Sequence, residues 1–288
     1  MKSITEYIHL ILEGGNAVTA QPIPAFIAPL LYEEIEKKVH DKSDVRLAPL
    51  GSLGKKKDDD FTGDIDIAID IKDLEEVYEL IQKVFPNNEI QMLKGLNVVS
   101  MSYPYDKEGK KGNAQIDFMS VKNFEWAKFR YNSPDYKKNE SKYKAALRSA
   151  LCSLIVSAIP VEDAKDEYFE DGTTVKKKWK YTFNTEGIFK QLLDYTGKNG
   201  KPVKNPKKLK EFEQLVTNDP QNFIRFIFGD KGELSDYTSA ESLWKAIHDK
   251  DKFKWQDVVK EIEQRFFEEV VPNNNVDPND FKCEFYNV

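Results

Sequence analysis

Residues 64–70, Asp-Ile-Asp-Ile-Ala-Ile-Asp, constrain the fold more than any other stretch of the chain. Acidic and apolar residues alternate there, which is typical of a β-strand with one face in a core. Because alternate side chains share a face, Asp64 and Asp66 point the same way. Two neighbouring carboxylates repel each other unless a cation lies between them, and Mg²⁺ prefers such hard oxygen ligands. The pattern therefore predicts a strand that carries part of a metal site.

Length and composition limit the class of protein. A chain of 288 residues is long for one domain and natural for two, and 40% hydrophobic residues are enough for two cores. The net charge of −6 argues against general coating of nucleic acid, although lysines cluster locally. No apolar run reaches the roughly 18–20 residues of a membrane span. The two cysteines and three histidines show no zinc-ligand spacing. Because the two cysteines lie far apart in the sequence, we expect the protein to work in the reducing cytoplasm.

The chain up to residue 130 is predicted to alternate helices with strands. Apolar residues every three or four positions indicate the helices, and period-two alternation indicates the strands. The predicted elements are helices over 2–13, 25–39 and 73–85, strands over 45–50 and 64–71, and a β-hairpin over 97–121. Together they predict a mixed-sheet domain over residues 1–130.

After residue 130 the pattern favours helices. The predicted elements are helices over 140–159, 186–195, 207–217, 220–228, 239–249 and 255–270, with one hairpin inside 161–183. Residues 131–288 are therefore predicted to form a mostly helical domain that ends in a polar tail from Pro272. The fold class expected for the whole chain is α+β.

Two further features belong with Asp64 and Asp66. Asp117 lies within an apolar strand pattern, where an unpaired carboxylate is costly to bury unless it binds a metal. If that strand neighbours 64–70, three carboxylates converge and can hold two Mg²⁺ ions for phosphoryl transfer. Gly51 and Ser52 form a turn before the strand. Glycine allows backbone N–H groups to approach phosphate oxygens and serine adds a hydroxyl donor, which we place at the start of a short helix.

The spacing of these parts resembles a known family. Leu50-Gly51-Ser52, a gap of 11 residues, Asp64-Ile65-Asp66-Ile67 and a later Ile116-Asp117-Phe118 are similar to the signature of the DNA polymerase β-like nucleotidyltransferase superfamily. The resemblance covers about residues 25–121. It implies a mixed-sheet nucleotidyltransferase catalytic domain that transfers a nucleoside monophosphate from an NTP to a hydroxyl with Mg²⁺ or Mn²⁺. ATP is the donor that the family favours.

The resemblance also implies roles for single residues. Asp64 and Asp66 would bind both metal ions, and Asp117 would bind one ion and help to deprotonate the acceptor. Gly51 and Ser52 would bind the β- and γ-phosphates. Superfamily members often carry a helical domain after the catalytic one, with nucleotide and acceptor bound between the two. By analogy of position, Lys142 and Lys144 would lie on the triphosphate side and Tyr143 would stack on the base, although a solvated helix face is an equally simple interpretation.

Three charged segments remain. Lys55–Lys57 precede Asp58–Asp60 and are interpreted as a mobile, solvated loop rather than a phosphate site. Residues 176–181 mix lysine with aromatic residues, and residues 197–210 hold six lysines and no acid. Lysines that contact phosphates and aromatics that stack on bases suit a nucleic-acid acceptor, with RNA favoured over DNA. Solvated loops explain both segments equally well.

The sequence leaves three functions open. The first is template-independent addition of NMP units to an RNA 3′ end. The second is transfer of NMP to a protein or small molecule, or the synthesis of cyclic oligonucleotides. The third is a nucleotide-binding module without catalysis, which the intact set of three aspartates disfavours.

Overall fold

The computed structural model describes residues 17–162, 165–274 and 276. The chain forms two compact units that divide between Ala145 and Ala146, later than the predicted boundary near residue 130. Residues after 130 stay with the first unit because backbone hydrogen bonds tie them to it, from Gly51 N–H to the Tyr131 carbonyl and from Lys137 N–H to the Lys55 carbonyl. The predicted helix over 2–13 and most of the predicted tail lie outside the described residues.

The N-terminal unit contains a mixed five-stranded sheet. Its helices are α1 (Ile27–His40), α2 (Leu74–Val84) and α3 (Phe124–Tyr131), and its strands are β1 (Ile23–Pro24), β2 (Leu47–Pro49), β3 (Phe61–Thr62), β4 (Asp64–Ile69), β5 (Ile90–Leu93), β6 (Val98–Lys107) and β7 (Lys110–Ser120). The helices predicted over 25–39 and 73–85 and the hairpin over 97–121 are confirmed. A 3₁₀ turn, Tyr136–Lys138, follows α3.

The strand order places β4, which carries Asp64 and Asp66, next to β7, which carries Asp117. The sheet runs β2-β4-β7-β6-β5, while β1 and β3 form a separate pair. β4 and β7 are parallel, whereas the other neighbours in the sheet are antiparallel. A parallel pair needs a crossover connection. Here α2, β5 and β6 lie between the two strands in sequence, so the positions of β4 and β7 relative to each other come from tertiary structure.

The two faces of β4 have different environments. Ile65, Ile67 and Ile69 are buried in the main core together with apolar residues of α1 and α2. The opposite face carries Asp64, Asp66 and Ala68, of which only Ala68 joins a small apolar cluster with Ala127 of α3. Burying a side chain such as Ile67 contributes about 1.5–3 kcal/mol. The isoleucines therefore fix the register that presents both aspartates on the other face.

The C-terminal unit combines an antiparallel sheet with helices. Its helices are α4 (Ala145–Ala158), α5 (Pro220–Phe228), α6 (Ala240–His248) and α7 (Val259–Arg265), which continues into a π-helical turn, and its strands are β8 (Glu167–Tyr168), β9 (Val175–Asn184), β10 (Gly187–Thr196) and β11 (Pro202–Thr217). The sheet order is β11-β10-β9-β8, with all neighbours antiparallel. The chain is thus of the α+β class in both units.

Two predicted helices of this unit are wrong. Residues 186–195 and 207–217 were expected to be helical, but they lie in β10 and β11. Ile188 and Leu192 are four residues apart, and so are Phe189 and Leu193. This spacing places each pair on one side of a helix, but it also places each pair on one face of a strand that is buried on both faces. β10 pairs with strands on both sides and its two faces are both covered, so tertiary pairing decides against the helix. The unit is therefore not mostly helical.

The helix predicted from residue 140 begins later, at Ala145. Ser141 is the cause, because its hydroxyl accepts a hydrogen bond from the Tyr143 N–H at 2.9 Å and donates to the Tyr143 carbonyl. Such local side-chain bonds compete with helical ones. Lys142, Tyr143 and Lys144 therefore precede α4 and belong to the N-terminal unit.

None of the helices in the described ranges has the length and apolar character needed to cross a membrane.

Candidate metal centre

Three carboxylates converge at the junction of β4 and β7. Asp66 and Asp117 are direct partners in the parallel register, and Asp64 lies two residues before Asp66 on the same face. Each offers one oxygen, and these three oxygens lie within 4.8 Å of one another. The predicted convergence is confirmed. The three aspartates are the sole group of this kind among the residues that the structure describes, and all three are half-buried.

The electrostatics of this cluster favour a bound cation. Burial raises the pKa of the Asp64 carboxyl to about 6; the charge of Asp117 adds to the rise, whereas Lys56 and Lys144 oppose it. Burial and then the charges of both neighbours raise the pKa of Asp66 well above its ordinary value. Within the described ranges none of the three carboxylates has a salt-bridge partner. A divalent cation would supply the missing positive charge.

Asp117 differs from its neighbours because the protein holds its carboxylate by hydrogen bonds. Ser100, fully buried on β6 and directly opposite Asp117, donates its hydroxyl to Oδ1 at 2.6 Å. Gln115, which is 2% exposed, donates Nε2 to Oδ1 at 3.2 Å and to Oδ2 at 3.0 Å. Burial still raises the pKa of Asp117, but these two donors act against the rise. Fixed donors behind a ligand orient it and tune its basicity.

The Gly51-Ser52 turn lies against the same cluster. Leu50 N–H donates to the Asp66 carbonyl, which attaches the turn to β4. Gly51 has a φ of +61°, and a Cβ placed there would lie 2.9 Å from Asp66 Oδ2. Both facts require glycine. The N–H of Gly51 is used by the Tyr131 carbonyl, so close packing on Asp66, and not phosphate contact by this N–H, is its visible role.

Ser52 supplies the donor that the turn still offers. Its side chain is half-buried and has no hydrogen-bond partner among the described residues, while its carbonyl accepts from Lys55 N–H. The short helix expected to begin here is wrong, since residues 52–55 form turns. The Ser52 hydroxyl, one residue after Gly51, is a hydrogen-bond donor that the described residues leave unused.

Lys55 and Lys56, for which the sequence favoured a solvated loop, have hydrogen-bond partners within the protein. Lys55 Nζ donates to the Asn132 side chain and, at 2.9 Å, to the Ser133 carbonyl. Lys56 Nζ donates to the Phe61 carbonyl at 2.9 Å, and burial lowers its pKa. Asp58 is ion-paired with Lys137 at 2.8 Å. Lys56 and Asp64 act on each other electrostatically, so Lys56 belongs to the site, although the sequence favoured a loop over a phosphate contact for residues 55–57.

Of the predicted residues Lys142, Tyr143 and Lys144, the structure places Lys144 near the carboxylates. The positive charge of Lys144 acts on Asp64 and on Lys56, which places Lys144 near the cluster. Tyr143 is 8% exposed, so little of its ring is open to a base, and the Lys142 ammonium lies 5.3 Å from its centroid. Ser100 and Gln115, by contrast, were missed. Their sole signal was a polar residue within an apolar strand, and that signal became specific once Asp117 was known to lie beside them.

Comparison with known proteins adds no family to these observations. A scan against protein-family models gave no match, and a search of the curated proteins gave none either. Any functional inference therefore depends on the spacing of the motif and on the geometry of the three carboxylates.

Proposed function

We propose that the protein is a metal-dependent nucleotidyltransferase that moves a nucleoside monophosphate from an NTP to a hydroxyl and releases pyrophosphate. The observation that carries this proposal is the convergence of Asp64, Asp66 and Asp117 beside the Gly51-Ser52 turn. The order of these parts in the chain matches the superfamily that the sequence resembles. ATP is the proposed donor on that resemblance alone.

The three carboxylates fit Mg²⁺ or Mn²⁺. They offer hard oxygen ligands within 4.8 Å of one another, and none of them forms a salt bridge within the described ranges. When bound, such ions neutralise phosphate charge and make a hydroxyl more acidic. Asp64 and Asp66 would hold both ions, and Asp117 would hold the one nearer the acceptor.

The protein's own groups have distinct tasks in the proposed reaction. The acceptor oxygen attacks the α-phosphorus of the NTP, the bond from that phosphorus to the bridging oxygen breaks, and pyrophosphate leaves. Asp117, oriented by Ser100, accepts the proton of the attacking hydroxyl. Ser52 donates to a phosphate oxygen, and the ammonium of Lys56 attracts the polyphosphate from the side of Asp64.

An RNA 3′ end is the acceptor that we propose. Its 3′-hydroxyl is the nucleophile that the site requires, and a chain of phosphates would be attracted to the lysine-rich segments of the C-terminal unit. Transfer to a protein or to a small molecule uses the same chemistry and is distinguished by the product.

Incubation with each α-³²P-labelled NTP, Mg²⁺ or Mn²⁺ and total RNA tests this function. We expect label in RNA with the wild-type protein and none with Asp64→Ala. Label in protein or a small product would keep the nucleotidyl transfer and replace the acceptor. Absence of label with every acceptor, under conditions where an NTP still binds, would leave a nucleotide-binding module without catalysis.

A further inference from the structure

The sheet of the C-terminal unit brings together two basic segments that are separate in the sequence. Asp194 of β10 pairs with Lys177 of β9 on one side and with Lys207 of β11 on the other. The adjacent row contains Lys178, Leu193 and Lys208. Lysines of both segments therefore lie at the same end of the sheet, on the two strands that flank β10. We call this region the basic end: residues 176–178 and 197–210.

The lysines of the second segment have no ion-pair partner among the residues that the structure describes. All six lie in exposed positions and none is ion-paired within the described ranges, whereas Lys177 and Lys178 are paired with Glu167 and Asp166. The six are Lys198, Lys201, Lys204, Lys207, Lys208 and Lys210. Six positive charges without an acid in fourteen residues contrast with a net charge of −6 for the whole chain. Their mutual repulsion favours binding of an extended polyanion.

The backbone of β11 favours the same partner. β11 is an edge strand of its sheet. Its pairing with β10 shifts between the pairs Thr196–Pro202 and Asp194–Lys207, where one residue of β10 lies opposite four residues of β11. The extra residues, which include Lys204, bulge from the ladder. Lysine and a bulge on an edge strand also oppose pairing with another β-strand. A surface built in this way suits phosphates better than a protein strand.

An exposed aromatic ring lies on the same strand. Phe212 is 42% exposed, and its ring meets that of Trp179 edge-on at 6.1 Å. Trp179 pairs with Leu192, which pairs on its other side with Leu209. Because side chains alternate, Trp179 points to the same face of the sheet as Lys177 and Lys207, which lie two rows away. Exposed aromatics beside a basic strip bind unpaired bases by stacking, which a duplex cannot offer.

We propose that the basic end binds the phosphate backbone of single-stranded RNA, with Phe212 stacking on one base. The inference that this RNA is the acceptor rests on the proposed function, but the binding itself needs neither NTP nor metal. The two ideas therefore fail separately.

The test is fluorescence anisotropy of a labelled 20-nucleotide RNA with the full-length protein in EDTA, over a series of salt concentrations. The variant Lys204→Gln/Lys207→Gln/Lys208→Gln removes three charges from the basic end. The matched control, Lys245→Gln/Lys250→Gln/Lys260→Gln, removes three exposed charges elsewhere in the same unit that form no ion pair with any described residue. Circular dichroism and thermal melting establish that both variants are folded.

We expect the first variant to bind RNA at least about tenfold more weakly at low salt. The slope of log K against log salt should fall by about two, since each phosphate contact on a single strand contributes about 0.7. The control should bind like the wild type. Phe212→Ala should weaken the binding of single-stranded RNA by about fivefold or more and leave the affinity for duplex RNA unchanged.

Equal affinity and equal salt slopes for the first variant and the control would overturn the proposal. Binding of anionic lipid vesicles in preference to RNA would also overturn it, as would equal affinity for the single strand and the duplex. Normal RNA binding by Asp64→Ala together with lost NMP transfer would support both ideas independently.

Discussion

Asp66 and Asp117 are direct neighbours across the parallel strands β4 and β7, although fifty residues of sequence separate them. Their carboxylates are joined by that of Asp64, and the three oxygens lie within 4.8 Å of one another. Two strands alone create this cluster. The register of β4 against β7 is therefore the structural feature on which any metal chemistry here depends, because a slip of one residue would turn an aspartate into the core.

Replacement of one carboxylate should abolish metal-dependent activity. We expect Asp66→Asn to reduce nucleotidyl transfer by about a thousandfold, since a lost metal ligand removes several kcal/mol of stabilisation from the transition state. Isothermal titration with Mn²⁺ should show weaker binding in the same variant. Asp70→Asn is the control, because Asp70 lies just beyond the same strand but is ion-paired with Arg46 at 2.5 Å. Equal losses in the two variants would contradict the assignment.

Gly51 allows the turn to be tested apart from the carboxylates. Gly51→Ala introduces a Cβ at positive φ and 2.9 Å from Asp66 Oδ2, so we expect lower stability and also weaker Mn²⁺ binding. Gly54→Ala is matched, since its φ is +72° but a Cβ placed there would lie 4.0 Å from the nearest neighbouring side-chain atom, on Pro29.

Both glycine variants should lose about 1 kcal/mol of folding free energy from the strained backbone. Only Gly51→Ala should also weaken Mn²⁺ binding, because the new Cβ displaces Asp66. We expect about a tenfold loss, the lower end of the range for losing a contact that supports a metal ligand. Thermal melting and Mn²⁺ titration measure the two effects. Equal Mn²⁺ affinity in both variants would mean that Gly51 serves the backbone turn alone.

Much of the N-terminal unit could be predicted from sequence because its signals are local. Asp73 caps α2 through the N–H groups of Glu75 and Glu76, as its position before an apolar period indicates. The alternation in 64–69 likewise defines both a strand and its faces. The partner of Asp66, however, depends on sheet order. Sequence suggested Asp117 as a neighbour because a carboxylate in an apolar strand is costly to bury without a metal, and through the resemblance to a family motif.

The C-terminal sheet could not be predicted in the same way. The spacing of Ile188 and Leu192 satisfies a helix and a buried strand equally, and the choice depends on pairing with β9 and β11. Ser100 was missed for a related reason. A serine in an apolar strand is informative only when the strand register places it opposite Asp117.

Ser100 offers a test of whether Asp117 is oriented by its neighbours. Ser100→Ala removes the 2.6 Å hydrogen bond to Asp117 Oδ1, so we expect Mn²⁺ binding to weaken by about 10–100-fold, the range for supporting partners of a metal ligand. Ser102→Ala is matched, because Ser102 lies on the same strand, is also buried and donates to the Thr19 carbonyl at 2.6 Å.

Electron paramagnetic resonance of free Mn²⁺ measures this affinity without requiring activity. Both serine variants should lose similar folding stability, about 1 kcal/mol each for a hydrogen bond. If Ser102→Ala weakened Mn²⁺ binding as much as Ser100→Ala, the effect would be one of general packing. Ser100→Thr, which keeps the hydroxyl, should retain more affinity than Ser100→Ala.

The raised pKa of Asp64 predicts how the metal-free protein depends on pH. Its pKa is about 6 in the folded state against about 3.9 for an unfolded chain, so the folded state binds more protons between these values. Stability in EDTA should therefore fall as pH rises from 4 to 6 and then level off, as far as this group contributes. The cost above pH 6 is at most about 3 kcal/mol, and less because Asp64 retains some contact with solvent.

Asp64→Asn removes that charge, so the variant should melt at a higher temperature than the wild type at pH 7.5 in EDTA. The difference should shrink towards pH 4, where the Asp64 carboxyl of the folded protein is protonated and carries no charge. Mg²⁺ should raise the melting temperature of the wild type at pH 7.5 more than at pH 5, and should do little for the variant. A variant less stable than the wild type at pH 7.5 in EDTA would show that Asp64 is not held against repulsion and burial, which would remove the electrostatic reason for a cation at this centre.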